Sequence, residues 1–148
     1  MIPVACRRCE TAVTSAFQTL EEGESVSEYT LISVIDDDES LCSVLVGLLR
    51  ASGYEARGFA SAEAFLAWEG AGGCDCVITD IHMPGMSGID LKKVLEARQL
   101  LVPVILITAR LDPVMEARAR SSGAVCLLKK PFEADALIEC ITKALERR

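Results

Sequence analysis

Thr30 marks a change in the character of the chain. Beyond it, short continuous apolar runs alternate with longer segments whose apolar residues recur at helical spacing. Leu31-Ile32-Ser33-Val34-Ile35 is rich in β-branched residues, stops abruptly at Asp36-Asp37-Asp38, and reads as a buried strand. Leu41, Val44, Leu45, Leu48 and Leu49 then mark one face of a helix, which Ala51-Ser52-Gly53 closes with a C-terminal glycine. Residues 54–59 predict a second, more polar strand near a sheet edge, followed by a short helix over 61–68 and a glycine-rich loop over 70–73. Residues 76–80 form a third strand that again ends in an acid, and 81–88 a loop of Pro, Gly and Met. Ser87 and Asp90 make a capping pair for a helix over 89–97. A fourth strand over 103–108, a helix over 113–122 ended by Gly123, a fifth strand over 125–128 and an amphipathic helix over 133–146 complete the series.

Alternation of apolar strands with helices implies a parallel sheet covered on both sides, with ligands bound beyond the carboxyl ends of the strands. The chain's 148 residues, 51 % of them hydrophobic, suit one domain with a real core. Its net charge of −7, with no basic run longer than two residues, argues against a nucleic-acid partner. No apolar stretch is long enough to span a membrane and no secretory signal opens the chain, so a cytoplasmic location is expected. The seven cysteines, mostly inside apolar runs, read as reduced thiols rather than a disulfide framework. Residues 1–28 carry five Glu against two Arg and stand apart as an N-terminal extension, with 12–20 a candidate short helix.

The polar residues that end the strands belong together: Asp36 and Asp37 after the first, Asp80 after the third, Thr108 after the fourth, Lys130 past the fifth. Carboxylates converging on one crevice raise each other's pKa unless a cation sits among them, and an all-oxygen set suits Mg²⁺. Lys130 and Thr108 add a positive charge and a hydroxyl placed to hold the oxygens of a transferring phosphoryl group. The chemistry that needs this set is attack by an Asp carboxylate on phosphorus. Asp80 is the candidate nucleophile because it stands alone at a central strand end; Asp36 and Asp37 are candidate metal holders.

Residues 29–148 resemble the receiver domain of two-component response regulators. The resemblance rests on Val34-Ile35-Asp36-Asp37-Asp38-Glu39, Asp80-Ile81-His82-Met83-Pro84-Gly85-Met86-Ser87-Gly88, Ile107-Thr108-Ala109 and Lys129-Lys130-Pro131-Phe132. The intervals from Asp37 to Asp80 (43 residues), on to Thr108 (28) and on to Lys130 (22) also fit. Ser61-Ala62-Glu63-Ala64-Phe65-Leu66 is closest in wording to the FixJ-like subgroup. The resemblance implies a flavodoxin-like, doubly wound α/β sheet of five βα units in strand order 2-1-3-4-5. It implies that Asp80 accepts a phosphoryl group from a phosphohistidine on a sensor kinase or phosphotransfer protein. Asp36, Asp37, Asp80 and the backbone carbonyl of His82 would hold Mg²⁺, Thr108 and Lys130 would bind the phosphoryl oxygens, and Lys130-Pro131 would be a cis peptide. Lys129 is expected to be solvated.

Two departures stand out. The position three before the lysine, commonly Tyr or Phe in receivers, is Leu127, which puts the usual route of signal transfer in doubt. The sequence also stops at Arg148, where the last receiver helix ends, so a stand-alone regulator acting through contact with an unknown downstream protein is expected, without direct nucleic-acid binding. Such a protein is not an enzyme in the usual sense, although it catalyses gain and loss of its own phosphoryl group. The His82 ring is expected to face solvent, at most tuning phosphate lifetime with Arg110. A zinc site at Cys6-Arg7-Arg8-Cys9 with Cys74-Asp75-Cys76 is disfavoured by the spacing of the second pair. Two other readings start from the same residues. Asp36-Asp37-Asp38-Glu39-Ser40 also fits the opening of haloacid-dehalogenase-type phosphatases, with Asp36 as nucleophile and Asp38 as acid/base, but that leaves Asp80 unexplained. A degenerate receiver acting as a constitutive binding module is opposed by working residue types at all five positions.

Overall fold

The computed structural model describes residues 30–147. The candidate helix over 12–20, the extension over 1–28 and the Cys6/Cys9 pair lie outside them. Five strands, β1 (Leu31–Ile35), β2 (Glu55–Phe59), β3 (Cys76–Asp80), β4 (Val104–Thr108) and β5 (Cys126–Lys129), alternate with five helices. These are α1 (Glu39–Ala51), α2 (Ala62–Ala67), α3 (Gly88–Ala97), α4 (Pro113–Ser121) and α5 (Ala134–Glu146). The strands pair in parallel in the order β2-β1-β3-β4-β5, the flavodoxin-like arrangement that the resemblance implied.

Both faces of the sheet are buried, which is why its inner strands are continuously apolar rather than alternating. Ile32, Val34, Cys76, Ile78, Ile105 and Ile107 face α1 and α5, meeting Leu45, Leu49, Leu137 and Ile141. The intervening residues Ile35, Val77, Val104 and Leu106 pack on the other side with Phe65 of α2, Leu91 and Leu95 of α3, and Ala119 of α4. β2 is an edge strand, as its polar composition suggested, and its Phe59 packs with Phe65 and Trp68 at 5.3–5.4 Å between ring centroids.

Local chemistry sets the helix starts. Asp38, Ser61 and Asp112 each accept a backbone N–H of the first turn, and Ser87 with Asp90 forms the predicted reciprocal capping box. The glycine-rich loop differs from expectation: Glu69–Gly73 coils into a 3-10 turn that buries Ala71. β5 begins and ends one residue later than its apolar run. The cysteines among the described residues are free, and burial pushes the Cys74 thiol up to about 11 and that of Cys140 up to about 12. No helix among the described residues is long and apolar enough to cross a membrane.

Candidate functional site

The sheet register brings the strand ends together. β1 and β4 flank β3, so the residues following Ile35 and those ending β4 border Asp80 on either side. Oxygen atoms of Asp36, Asp37 and Asp80 all lie within 4.8 Å of one another, the one such group of potential metal ligands among the described residues. The donor set is all carboxylate, which suits a hard divalent cation and not zinc.

Lys130 reaches this group from beyond β5. Its backbone N–H donates to Thr108 O at 2.7 Å, and Lys130-Pro131 is cis. Its Nζ donates to Asp36 Oδ2 at 3.0 Å and to Asp80 Oδ2 at 3.2 Å, bridging residues 94 and 50 positions away. The two acids differ in access: Asp36 is 0 % exposed and Asp80 6 %, while Asp37 lies at the surface. Asp36 Oδ1 is further occupied by the Asp38 N–H at 2.9 Å, and Asp80 Oδ1 by the His82 N–H at 3.3 Å.

Burial holds the Asp80 carboxyl above its ordinary pKa, the Asp36 charge adds to this, and Lys130 only partly offsets it. For Lys130, burial alone would lower the pKa, but the Asp36 and Asp80 carboxylates outweigh it and the net shift is upward. The ammonium is therefore held charged between two acids. Such a site offers a fixed positive charge and a partly open carboxylate beside a potential cation position.

Thr108 is fully buried at the end of β4, and its hydroxyl donates to Arg110 O at 2.7 Å while accepting the Arg110 N–H at 3.1 Å. Behind Asp80, the β3–α3 loop returns so closely that a Cβ on Gly88 would strike the Asp80 carbonyl oxygen and approach Thr79 Cγ2 to 3.1 Å. Gly85, at φ +81°, turns the loop past Glu63, whose Oε2 accepts the Met86 N–H at 2.9 Å. This tie from α2 was not legible in sequence, since 23 residues separate the partners and nothing in either segment marks them.

His82 as a residue is half-buried, and its ring lies at an exposed position with Nε2 3.3 Å from Arg110 O. Lys129 is exposed, as expected, and Leu127 is half-buried against the cluster under α4 together with Met115. Cys74 and Cys76 are buried and belong to no metal-ligand group among the described residues.

Residues 32–142 match the family model described as the response regulator receiver domain. The response regulator protein TmoT of Ectopseudomonas mendocina is 35 % identical over 129 residues, covering 87 % of this chain and 56 % of its own length. The transcriptional regulatory protein FixJ of Rhizobium meliloti (strain 1021) is 36 % identical over 121 residues, covering 82 % of this chain and 59 % of its own. The chain thus spans somewhat over half the length of these curated relatives. Among solved structures, FixJ-N aligns with a TM-score of 0.73 at 35 % identity, covering 80 % of this chain and 94 % of that one. The response regulator StyR aligns with a TM-score of 0.73 at 38 % identity, covering 82 % and 61 % respectively.

Proposed function

Because the chain belongs to the response regulator receiver domains of two-component systems, we propose that it carries its signal as a phosphoryl group on Asp80. The observation that carries this reading is the contrast between the two buried acids held by Lys130: Asp80 keeps a small exposed edge, 6 % of its surface, through which a phosphorus atom can approach, and Asp36 has none. The same contrast weighs against the phosphatase reading, which needs Asp36 as nucleophile.

In the proposed reaction an Asp80 carboxylate oxygen attacks the phosphorus of a phosphohistidine on a sensor kinase or phosphotransfer protein. A P–O bond forms, the P–N bond breaks, and the departing imidazole keeps the electron pair and takes a proton. Lys130 Nζ, already 3.2 Å from Asp80 Oδ2, turns to a phosphoryl oxygen, and Thr108 leaves Arg110 O to donate to another. Asp36, Asp37, Asp80 and the His82 carbonyl would hold Mg²⁺, which neutralises charge on the transferring group when bound. Loss of the group by water attack uses the same residues. The single charge of the Asp80 carboxylate becomes the nearly double charge of an acyl phosphate projecting further from the strand end, which shifts the loops after β3 and β4, and contact with another protein domain reads the altered surface.

Intact-mass measurement after incubation with acetyl phosphate and Mg²⁺ tests this. One added phosphoryl group is expected on the wild type, none on Asp80→Asn, and residual labelling on Asp36→Asn. Full labelling of Asp80→Asn together with none on Asp36→Asn would overturn the assignment in favour of the phosphatase reading, and absence of labelling on the wild type would favour a constitutive binding module.

A further inference from the structure

The loops that follow β3 and β4 meet at one backbone oxygen. Thr108 Oγ1 donates to Arg110 O at 2.7 Å, and the His82 ring reaches the same oxygen through Nε2 at 3.3 Å from a position 28 residues away. A carbonyl oxygen only accepts, so this contact is a hydrogen bond in the tautomer that carries the proton on Nε2, and there the ring donates it. The Arg110 N–H closes the small ring by donating back to Thr108 Oγ1 at 3.1 Å.

The Thr108 hydroxyl is therefore committed to the β4–α4 loop, and to reach a phosphoryl oxygen on Asp80 it must release Arg110 O. That release removes the shorter of the two protein hydrogen bonds to the carbonyl. The His82 ring is the donor already in place to keep it satisfied. We propose that the His82 side chain is a positioning residue of the switch: its Nε2–H retains the Arg110 carbonyl as Thr108 turns inward, and so favours the phosphoryl-bound arrangement. This rests on the reading of Asp80 as phosphoacceptor. It also divides His82 into two separable parts, a main chain beside the cation position and a ring that serves the neighbouring loop.

Substitution separates them. His82→Phe keeps the main chain and most of the volume but has no donor; His82→Gln restores an N–H at similar reach. The probe is beryllofluoride, a phosphoryl mimic, titrated calorimetrically into protein saturated with Mg²⁺. Beryllofluoride affinity should fall about 2- to 10-fold in His82→Phe, the range one hydrogen bond supplies, and recover in His82→Gln. In a Thr108→Ala background, where no hydroxyl leaves Arg110 O, His82→Phe should cause no further loss. Wild-type affinity in His82→Phe, no recovery in His82→Gln, or an equal loss in the Thr108→Ala background would each overturn the proposal while leaving the phosphoacceptor reading intact. A wild type that neither binds the mimic nor takes a phosphoryl group from acetyl phosphate overturns both.

Discussion

Three residues show how closely the site is held. Lys130 is the counter-ion of a buried acid, and removing one partner of such a pair leaves an uncompensated charge. Lys130→Ala is expected to cost about 3 kcal/mol in metal-free buffer, with much of this recovered in Mg²⁺, which under the proposed function would supply positive charge to the same carboxylates; denaturant titrations with and without the ion check it. Gly88 has no room for a side chain against the Asp80 carbonyl. Gly88→Ala should cost about 1–3 kcal/mol and slow phosphorylation, because relief of the clash displaces the acceptor strand end. Asp80 supplies the pH dependence. Its carboxyl binds a proton more readily when folded than the ordinary value of 3.8 allows. The metal-free fold therefore loses stability as pH rises from about 3.8 through the folded pKa, and carries the whole penalty above it. Asp80→Asn should thus be more stable than wild type at neutral pH without metal, an advantage that shrinks as pH falls through the folded pKa and is gone below about 3.8; a constant difference across that range would refute the assignment.

Among the helices, α4 is the one most lightly held. Of its nine residues only Ala119 is fully buried, with Met115 half-buried against the same cluster, whereas α5 buries Leu137, Cys140, Ile141 and Ala144. Few buried apolar contacts mean a low cost of local opening. Amide exchange followed by mass spectrometry should show α4 exchanging ahead of α1, α3 and α5, and protection of equal strength in all four would contradict this. The capping signals of α4 were nevertheless plain in sequence, since Asp112-Pro113 is a cap followed by a residue preset for the first turn. The end of α3 was not marked in this way: Gln99 takes the positive φ of 60° where a glycine would have announced the turn. Leu127 occupies the position that resembles the aromatic site of other receivers, and the structure gives it a packing role beneath α4.

At the scale of the molecule, a cation that binds only the folded protein stabilises it by mass action. Mg²⁺ at about a hundred times its dissociation constant should add about 2.7 kcal/mol, and Asp36→Asn or Asp37→Asn should remove most of that gain in a thermal melt. Much of this architecture was readable along the chain. Apolar periodicity, caps and strand-terminal acids are properties of neighbouring residues, and they marked the strand–helix alternation, the buried faces and the candidate residues. The family motifs then implied the strand order, which the sheet bears out. Access and partnership were beyond that reading. Asp36 and Asp80 are the same residue type at equivalent strand ends, yet one has no exposed surface and the other keeps a small exposed edge. The contact of the His82 ring with Arg110 O, 28 residues on, had no signal in either segment. Such pairings depend on how distant segments pack and which rotamers that packing leaves, quantities to which local sequence contributes almost nothing.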